Sequence, residues 1–225
     1  MWEEAVEPIL SEYCRSKPGL FLDKKGARKS RKGKKLLRWV DDAGNHHSLD
    51  YVIEKGGTDD QLGRLAAIIE LAWRSYTKHS KAKVQEIEGA VTPIFRKYKD
   101  NRPFIAAVLS GDFTKDSLIQ LKSHGFFVHH SEKPELGKVF AAYRIDIVIG
   151  ENAPDEDFEK QITIISSLSI QERIRLINDV TDSIKPDLEK MIKKMDGVIF
   201  SPIDSIYVAA NFGEGSSFDN VSGAM

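Results

Sequence analysis

The order of apolar and polar residues predicts alternating helices and strands over the first 133 residues. Residues 2–14 carry apolar side chains at helical spacing, which predicts a first helix. The sequences KLLRWV (35–40) and HHSLDYVIE (46–54) flank the turn sequence DDAGN, and together they predict a β-hairpin. RLAAIIELAW (64–73) is apolar nearly throughout, as expected for a strand that is buried on both faces.

The same alternation continues beyond this buried strand. A long amphipathic helix is predicted from Thr77 to Tyr98, and the strand PFIAAVLSG (103–111) follows it. A helix that ends at Gly125 and the short strand FFVHH complete the series. The resulting order, αβββαβαβ, predicts an α/β fold in which helices flank a central mixed sheet.

Residues 134–225 form a second predicted region, which is mostly helical. A strong helical pattern runs from Ser169 to Lys194, and Pro186 is expected to interrupt it because proline cannot donate the helical hydrogen bond. The tail GVIFSPIDSIYVAANFG (197–213) predicts two short strands, and the residues after it carry no structural signal. We therefore expect a helical subdomain with a small β element, whose role in packing, dimerisation or lining a DNA cleft remains open.

Composition narrows the class of protein. The chain has 225 residues, of which 41% are hydrophobic and 30% charged, as is typical of a soluble globular protein. No apolar run approaches the ~18 residues of a membrane span, and the N-terminus lacks a signal-peptide pattern. The single cysteine, Cys14, excludes an internal disulfide and favours a cytoplasmic location.

The net charge of −1 conceals a strongly basic stretch, residues 15–38, which we call the basic segment. It contains eleven lysine and arginine residues against one acid, Asp23. Such a segment is suited to a polyanion, so nucleic acid is the favoured partner, and a solvated loop is the alternative. The side chains expected to contact nucleic acid here are Lys24, Lys25, Arg28, Lys29, Arg31, Lys32, Lys34 and Lys35.

Glu70 is the one acidic residue within the predicted buried strand RLAAIIELAW. Burial of a carboxylate among apolar residues costs free energy unless a partner neutralises its charge. Asp50 lies on the preceding predicted strand. If the two strands are neighbours, Asp50 and Glu70 converge. Two carboxylates at that spacing form a Mg²⁺ site that water and substrate phosphate complete.

At these residues the chain resembles the PD-(D/E)XK nuclease superfamily, the fold of many type II restriction endonucleases. The resemblance covers roughly residues 1–130 and rests on the αβββαβ order, on Asp50 in SLDYVIE, on Glu70 in AIIELAW and on the following helix KHSKAKVQEIEGA. It implies a restriction-endonuclease-like core in residues 1–133. It also implies phosphodiester hydrolysis, with Asp50 and Glu70 binding Mg²⁺, for which Mn²⁺ can substitute.

The chain departs from the superfamily pattern two residues after Glu70, where a lysine is usual and Ala72 stands instead. A lysine on the next helix can supply the missing charge, and we rank Lys81 first, Lys78 second and Lys83 third. Gln85 lies on the same predicted flank as Lys81 and Lys78, and a helical glutamine near the site is known in the superfamily. The alternative is that these lysines are simply solvated or face phosphates.

Three further charged residues share the predicted site. Arg74 follows on the strand face of Glu70, but its fixed charge offers no useful basicity, so it is expected to contact DNA. Glu54 shares the face of Asp50 and is either a third ligand or, more simply, a solvated acid at a strand end. Glu7 on the first helix is a weaker candidate.

These observations together predict a Mg²⁺-dependent DNA endonuclease of the restriction or defence type. Cleavage of both strands of duplex DNA needs two sites, which predicts a homodimer. Two alternatives remain open. The first is a catalytically inactive nuclease fold that binds DNA or serves in assembly, for which Ala72 is the main support. The second is a repair or structure-specific nuclease of the same fold, or one acting on RNA.

Overall fold

The computed structural model describes residues 1–150, 153–201, 206–208, 213 and 215–218. Its helices are α1 (Trp2–Ser16), α2 (Ser80–Lys97), α3 (Lys115–Ser123), α4 (Lys133–Ala141), α5 (Asp155–Ser167) and α6 (Ile170–Ile199). Its strands are β1 (Leu20–Lys24), β2 (Arg38–Val40), β3 (His46–Ser48), β4 (Tyr51–Lys55), β5 (Arg64–Arg74), β6 (Phe104–Gly111), β7 (Phe127–Ser131), β8 (Ile206–Val208) and β9 (Ser216–Phe218).

A five-stranded mixed sheet forms the centre of the molecule, with the strand order β1-β4-β5-β6-β7. The pairs β1–β4 and β4–β5 are antiparallel, whereas β5–β6 and β6–β7 are parallel. The predicted α/β class, with helices flanking a central mixed sheet, is therefore confirmed.

The apolar run of β5 is explained by its position at the centre of the sheet. Ile69 and Leu71 pack into the cluster that contains α1 and α6, whereas Ile68 and Ala72 pack into the cluster that contains α2. Because successive side chains of a strand point to opposite faces, both faces of β5 are covered by helices. Glu70 shares the α2 face, which places its carboxylate in the core.

The strands differ from the predicted ones in two respects. The stretch HHSLDYVIE is divided: β3 pairs with β2 in a separate two-stranded sheet, and β4 joins the central sheet. The first strand of the central sheet is β1, which lies inside the basic segment. Its five residues are flanked by lysines and a turn, so the hydrophobic pattern is too short to indicate a strand.

Helix α6 continues through Pro186, contrary to the prediction of a break. Pro186 lies on the exposed face of the helix, where water can solvate the carbonyl that loses its partner. The buried residues Ile184 and Leu188 hold the helix against the core on either side of it.

Helix α6 also joins the two predicted regions. Its buried side chains belong to the same hydrophobic cluster as α1 and the central sheet, and Thr181 donates a hydrogen bond to the Ala5 carbonyl (3.1 Å). In the tail, β8 pairs with β9, which falls in the stretch where no structure is predicted. At the start of the predicted tail strands, residues 197–199 instead form the end of α6, because Ile199 packs in the same hydrophobic cluster as the rest of that helix. Residues 202–205 and 209–212 of the predicted strands lie outside the described residues. Among the described residues, no helix has the combination of length and hydropathy needed to cross a bilayer.

Candidate active site

The antiparallel pairing of β4 with β5 brings Asp50 and Glu70 together. Tyr51 lies opposite Ile69 and Val52 opposite Ile68, so the residue before β4 faces Glu70. The Asp50 N–H donates to Glu70 Oε1 (3.2 Å), and the Leu71 N–H donates to Asp50 Oδ2 (2.8 Å). These reciprocal bonds fix both carboxylates at the point where β4 begins.

The electrostatic environment of Glu70 is unfavourable for a negative charge. Its side chain is 5% exposed, and burial is the main reason why the pKa of Glu70 rises to about 8. The negative charge of Asp50 raises the pKa further, while the Asp50 N–H and the charge of Lys83 oppose the rise. Glu70 therefore holds a proton at neutral pH when no cation is bound.

A carboxylate pair in which burial and a neighbouring acid raise the pKa of one member, Glu70, is a suitable donor set for a hard divalent cation. Mg²⁺ prefers carboxylate oxygens, usually takes only one or two of them from the protein, and keeps several waters. A bound cation would replace the proton of Glu70 and neutralise Asp50 at the same time. Within the part of the chain that the structure describes, no group of three His, Cys, Asp or Glu side chains is arranged for metal binding. Asp50 and Glu70 are therefore the two side chains here that could hold such a cation.

A cleft of about 300 Å³ opens beside Asp50. It is lined by Glu3 and Glu7 of α1, Lys24 and Lys25 at the end of β1, and residues 36–37 and 48–51. Glu7 forms an ion pair with Lys24, and the Tyr51 hydroxyl lies 3.5 Å from Glu7 Oε2. Asp50 faces this cleft, while Glu70 lies behind it in the protein interior. Asp50 is therefore accessible to solvent from the side of α1 and the basic segment.

Among the lysines considered from the sequence, Lys83 is the one whose charge lowers the pKa of Glu70. The Lys83 side chain is 15% exposed, its charge lowers the pKa of Glu70, and its Nζ also pairs with Glu86 (2.7 Å). Lys81, Lys78 and Gln85 are exposed, and no hydrogen bond or ion pair among the described residues joins them to Asp50 or Glu70.

Helical geometry explains why Lys83 is more buried than Lys81. At about 100° per residue, Lys83 lies about 60° from the centre of the buried stripe of α2, whereas Lys81 lies about 100° away on the other side. The stripe itself consists of Ser80, Val84, Ile87, Val91 and Ile94. The ranking of Lys81 first rested on the helix flank that it shares with Lys78 and Gln85. The angle from the buried stripe was the signal that favoured Lys83.

Arg28 does not contact DNA, because it is buried in an ion network behind the basic segment. Its side chain is 3% exposed, and its two terminal nitrogens donate to the two carboxylate oxygens of Glu54 (2.7 and 3.0 Å). It also pairs with Asp23 (2.7 Å) and donates to the carbonyls of Thr58 and Gln61. Arg28 is therefore a structural residue.

Glu54 is correspondingly neither a metal ligand nor a solvated acid. It is fully buried by Arg28 and accepts a further hydrogen bond from the Gly63 N–H (2.6 Å). Gly57 and Gly63 bring the following loop close to this carboxylate: a Cβ at Gly57 would meet the Glu54 side chain, and one at Gly63 the Gly57 backbone. The loop sequence GGTDDQLG serves to enclose Glu54.

The rest of the basic segment is ordered and mostly faces outward. Arg31 is largely buried, with 8% of its side chain exposed, and it pairs with Asp23 (3.2 Å). Arg74 is half-buried at the end of β5, where its Nη1 donates to the Trp73 carbonyl (3.0 Å). The lysines predicted to contact DNA are exposed: Lys24, Lys25, Lys29, Lys32, Lys34 and Lys35.

Comparison with known proteins adds little to this geometry. No protein-family model matches the chain, and a search of curated proteins finds no significant match. A solved structure of a protein of unknown function, AF1548, aligns with 87% of this chain and 94% of its own, at 11% identity and a TM-score of 0.35. A TM-score of this size carries no argument about the fold or the function.

Proposed function

We propose that this chain is a divalent-metal-dependent DNA endonuclease with a restriction-endonuclease-like core. The observation that carries the proposal is the apposition of the half-buried Asp50 and the buried Glu70, to which no lysine or arginine among the described residues is hydrogen-bonded. The order of elements around the pair supports it, because two antiparallel strands and the helix α2 present the acids and Lys83 to one place.

The side chains would share the work of phosphodiester hydrolysis. Asp50 and Glu70 would hold Mg²⁺ or Mn²⁺, which polarises the scissile phosphate and lowers the pKa of an attacking water. Lys83 stabilises negative charge at the pair, and the exposed lysines of the basic segment attract the phosphate backbone. Cleavage of both strands would require a second copy of the chain, so a homodimer is part of the proposal.

A restriction or defence role in the cytoplasm follows from the resemblance to the superfamily and from the lone cysteine. Cys14 is buried in α1, and burial raises the pKa of its thiol to about 12. A thiol in that environment stays protonated and unreactive, so it plays no part in catalysis.

One observation favours a second function, an inactive nuclease fold that binds DNA or serves in assembly. Ala72 is 5% exposed and packs in the core where the superfamily usually has its lysine. In that case Lys83 would only moderate the charge of Glu70, and the chain would bind DNA without cutting it.

Cleavage of plasmid DNA distinguishes the two functions. We expect wild type to nick or cut supercoiled DNA with Mg²⁺ or Mn²⁺, and Asp50→Asn and Glu70→Gln to lose at least about a hundredfold in rate, as when a charge-stabilising group is removed. The matched control is Glu189→Gln, an exposed acid on α6. Oligonucleotide binding should stay within threefold of wild type in all three variants.

Two results would contradict the enzyme. Absence of cutting by wild type with either metal, on duplex, branched, single-stranded and RNA substrates, would leave the inactive module as the better explanation. Undiminished cutting by Glu70→Gln would show that Glu70 is not part of the active site. Thermal stability provides a second measurement of metal binding that does not depend on cleavage. A cation at 100 times its dissociation constant stabilises the folded state by about 2.7 kcal/mol. That stabilisation should be lost in Asp50→Asn.

A further inference from the structure

A serine, a histidine and an aspartate meet where β7 packs against α6. His129 Nε2 lies 2.8 Å from the hydroxyl oxygen of Ser131, and His129 Nδ1 lies 3.9 Å from Asp187 Oδ2. His129 and Ser131 are two residues apart on β7, so their side chains share one face of the sheet. That face packs against α6, whereas Glu70 lies on the face that packs against α2. The three residues therefore form a group separate from the Asp50–Glu70 pair.

Burial controls the protonation of His129. The side chain is 7% exposed, and burial lowers its pKa below the ordinary value of 6.5. The charge of Asp187 opposes this shift, while His130 and Lys190 add to it. The imidazole is therefore neutral at pH 7, and one ring nitrogen can accept a hydrogen bond. A proton on Nδ1, the nitrogen that faces Asp187, leaves Nε2 to accept the O–H of Ser131.

This arrangement has the order of a nucleophile, a general base and a residue that orients the base. Asp187 uses its other oxygen, Oδ1, to pair with Lys190 (2.7 Å), which leaves Oδ2 on the side of the histidine. The separation of 3.9 Å between Oδ2 and Nδ1 is longer than a hydrogen bond. Such contacts are often looser before substrate binds and shorten in the complex.

A small cavity of about 70 Å³ adjoins the serine and the histidine. Its volume corresponds to roughly two water molecules, so it can hold a group of acetyl size. Two apolar side chains, Leu136 and Ile184, suit the alkyl part of such a group, and exposed residues leave the opening free for a larger leaving group. The residues that line it are buried (His129, Ser131, Leu136 and Ile184), half-buried (His130) or exposed (Glu135, Ser183 and Asp187).

Helix α4 begins directly after the serine. Ser131 is the last residue of β7, Glu132 is the N-cap, and the helix starts at Lys133. The Glu132 side chain makes no capping hydrogen bond, and the first N–H groups of a helix have no partner within the helix. The positive end of the helix dipole therefore lies next to the serine in the chain, and it favours the negative charge that develops on a carbonyl oxygen during acyl transfer.

We infer that this group gives the chain a second activity, the hydrolysis of short-chain carboxylic esters, with Ser131 as nucleophile and His129 as general base. Ser131 Oγ bonds to the carbonyl carbon and its proton passes to His129 Nε2. The bond from that carbon to the alcohol oxygen then breaks, and the alcohol leaves with the proton from Nε2. Water adds to the acyl carbon in the same way, which releases the carboxylic acid and returns the proton to Ser131. Asp187 is a positioning residue that acts through His129.

Reaction of the full chain with p-nitrophenyl acetate in the presence of EDTA tests the nucleophile. We expect a burst of nitrophenolate and one acetyl group on the peptide that contains Ser131. Ser131→Ala and His129→Gln should each lower turnover at least about a hundredfold. The matched control is Ser123→Ala on α3, whose hydroxyl donates to the Gln120 carbonyl (2.7 Å), and it should stay within twofold of wild type.

A second variant separates loss of the nucleophile from loss of the fold. Ser131→Cys keeps a nucleophilic atom at nearly the same volume, so it should restore acetylation at this position, and thermal unfolding shows whether each variant is folded. No acetylation of Ser131 in the wild type, or equal acetylation in His129→Gln, would overturn the inference. Chelation by EDTA excludes the proposed metal site from both results, so an inactive Asp50–Glu70 pair would not change them.

The role of Asp187 is read from the pH dependence of the acetylation rate. Its charge raises the pKa of His129, so Asp187→Asn should move the acidic limb of the pH–rate profile to lower pH. The rate above that limb should fall about tenfold, which is less than for a buried triad aspartate because Asp187 is exposed. Glu189→Gln, which removes a neighbouring exposed acid, should leave both unchanged. An identical profile in Asp187→Asn and Glu189→Gln would remove Asp187 from the group.

Discussion

Glu54 and Glu70 are both buried glutamates in the central sheet, yet their surroundings are opposite. Glu54 is enclosed by a bidentate arginine, Arg28, and by the N–H of a glycine loop. Glu70 meets a second acid, Asp50, and the charge of Lys83 reaches it without a hydrogen bond between them. A buried acid whose charge the protein neutralises serves the fold, whereas one left facing another acid is a candidate site for an external cation.

Removal of Arg28, the partner of Glu54, should have the largest effect on stability. Arg28→Met leaves Glu54 and Asp23 buried without their common partner, and we expect the free energy of unfolding to fall by about 3–5 kcal/mol. Urea denaturation measures the change. Lys29→Met, which removes an exposed neighbouring charge, should stay within about 0.5 kcal/mol of wild type. A loss below 1 kcal/mol for Arg28→Met would show that Glu54 does not need its arginine.

Neutralisation of Glu70 should have the opposite effect: it should raise the free energy of unfolding of the metal-free protein. The pKa of Glu70 is about 8 in the folded protein against an ordinary value of 4.5, so between these values the folded state binds more protons than the unfolded state. The stability of the metal-free protein therefore falls as pH rises from 4.5 to 8. In Glu70→Gln this contribution is absent. We expect the variant to be more stable than wild type by about 2–4 kcal/mol at pH 8.5 and equal to it at pH 4.5.

Chemical denaturation in the presence of EDTA from pH 4.5 to 9 measures this difference. Glu189→Gln is again the matched control, since it removes the charge of an exposed acid on α6. A Glu70→Gln difference that is constant with pH would mean that Glu70 ionises normally. Addition of Mg²⁺ should reduce or reverse the advantage of the variant, because the cation takes the place of the proton.

The sequence predicted the acid pair better than it predicted the cations. Glu70 was conspicuous because an acid interrupts an apolar strand, and strand alternation limited the positions from which Asp50 could reach it. Arg28 had no such signal, since one arginine among eleven basic residues looks like any other. Its burial depends on Glu54, an acid 26 residues away that becomes its neighbour only when β1 pairs with β4.

The fold, too, could be predicted only in part from the sequence. The α/β class and the sequence β5, α2, β6 followed from hydrophobic periodicity, whereas the number of strands before α2 and the identity of the first sheet strand did not. The apolar residues of LFLDK are too few to stand out between basic stretches, and β2 and β3 carried the stronger hairpin signal. The predicted helix break at Pro186 was also wrong. An exposed proline is tolerated here because the buried residues Ile184 and Leu188 anchor the helix on both sides of it.

Lys83 offers the smallest and most specific test of the Glu70 environment. Its charge lowers the pKa of Glu70, so Lys83→Gln should raise that pKa by less than about one unit, which corresponds to under ~1.4 kcal/mol. The effect is small because Lys83 also pairs with Glu86. Lys81→Gln should leave the pKa unchanged, since Lys81 is exposed on the other flank of α2.

Carboxyl carbon chemical shifts of labelled glutamate, followed over pH 5–10, report the pKa of Glu70 in each variant. If the protein cuts DNA, the Lys83→Gln variant should cleave it more slowly than the Lys81→Gln variant, while both bind DNA equally well. A larger effect of Lys81→Gln on both measurements would restore the lysine ranked first from the sequence. It would also mean that α2 presents its other flank to the acids when metal and DNA are bound.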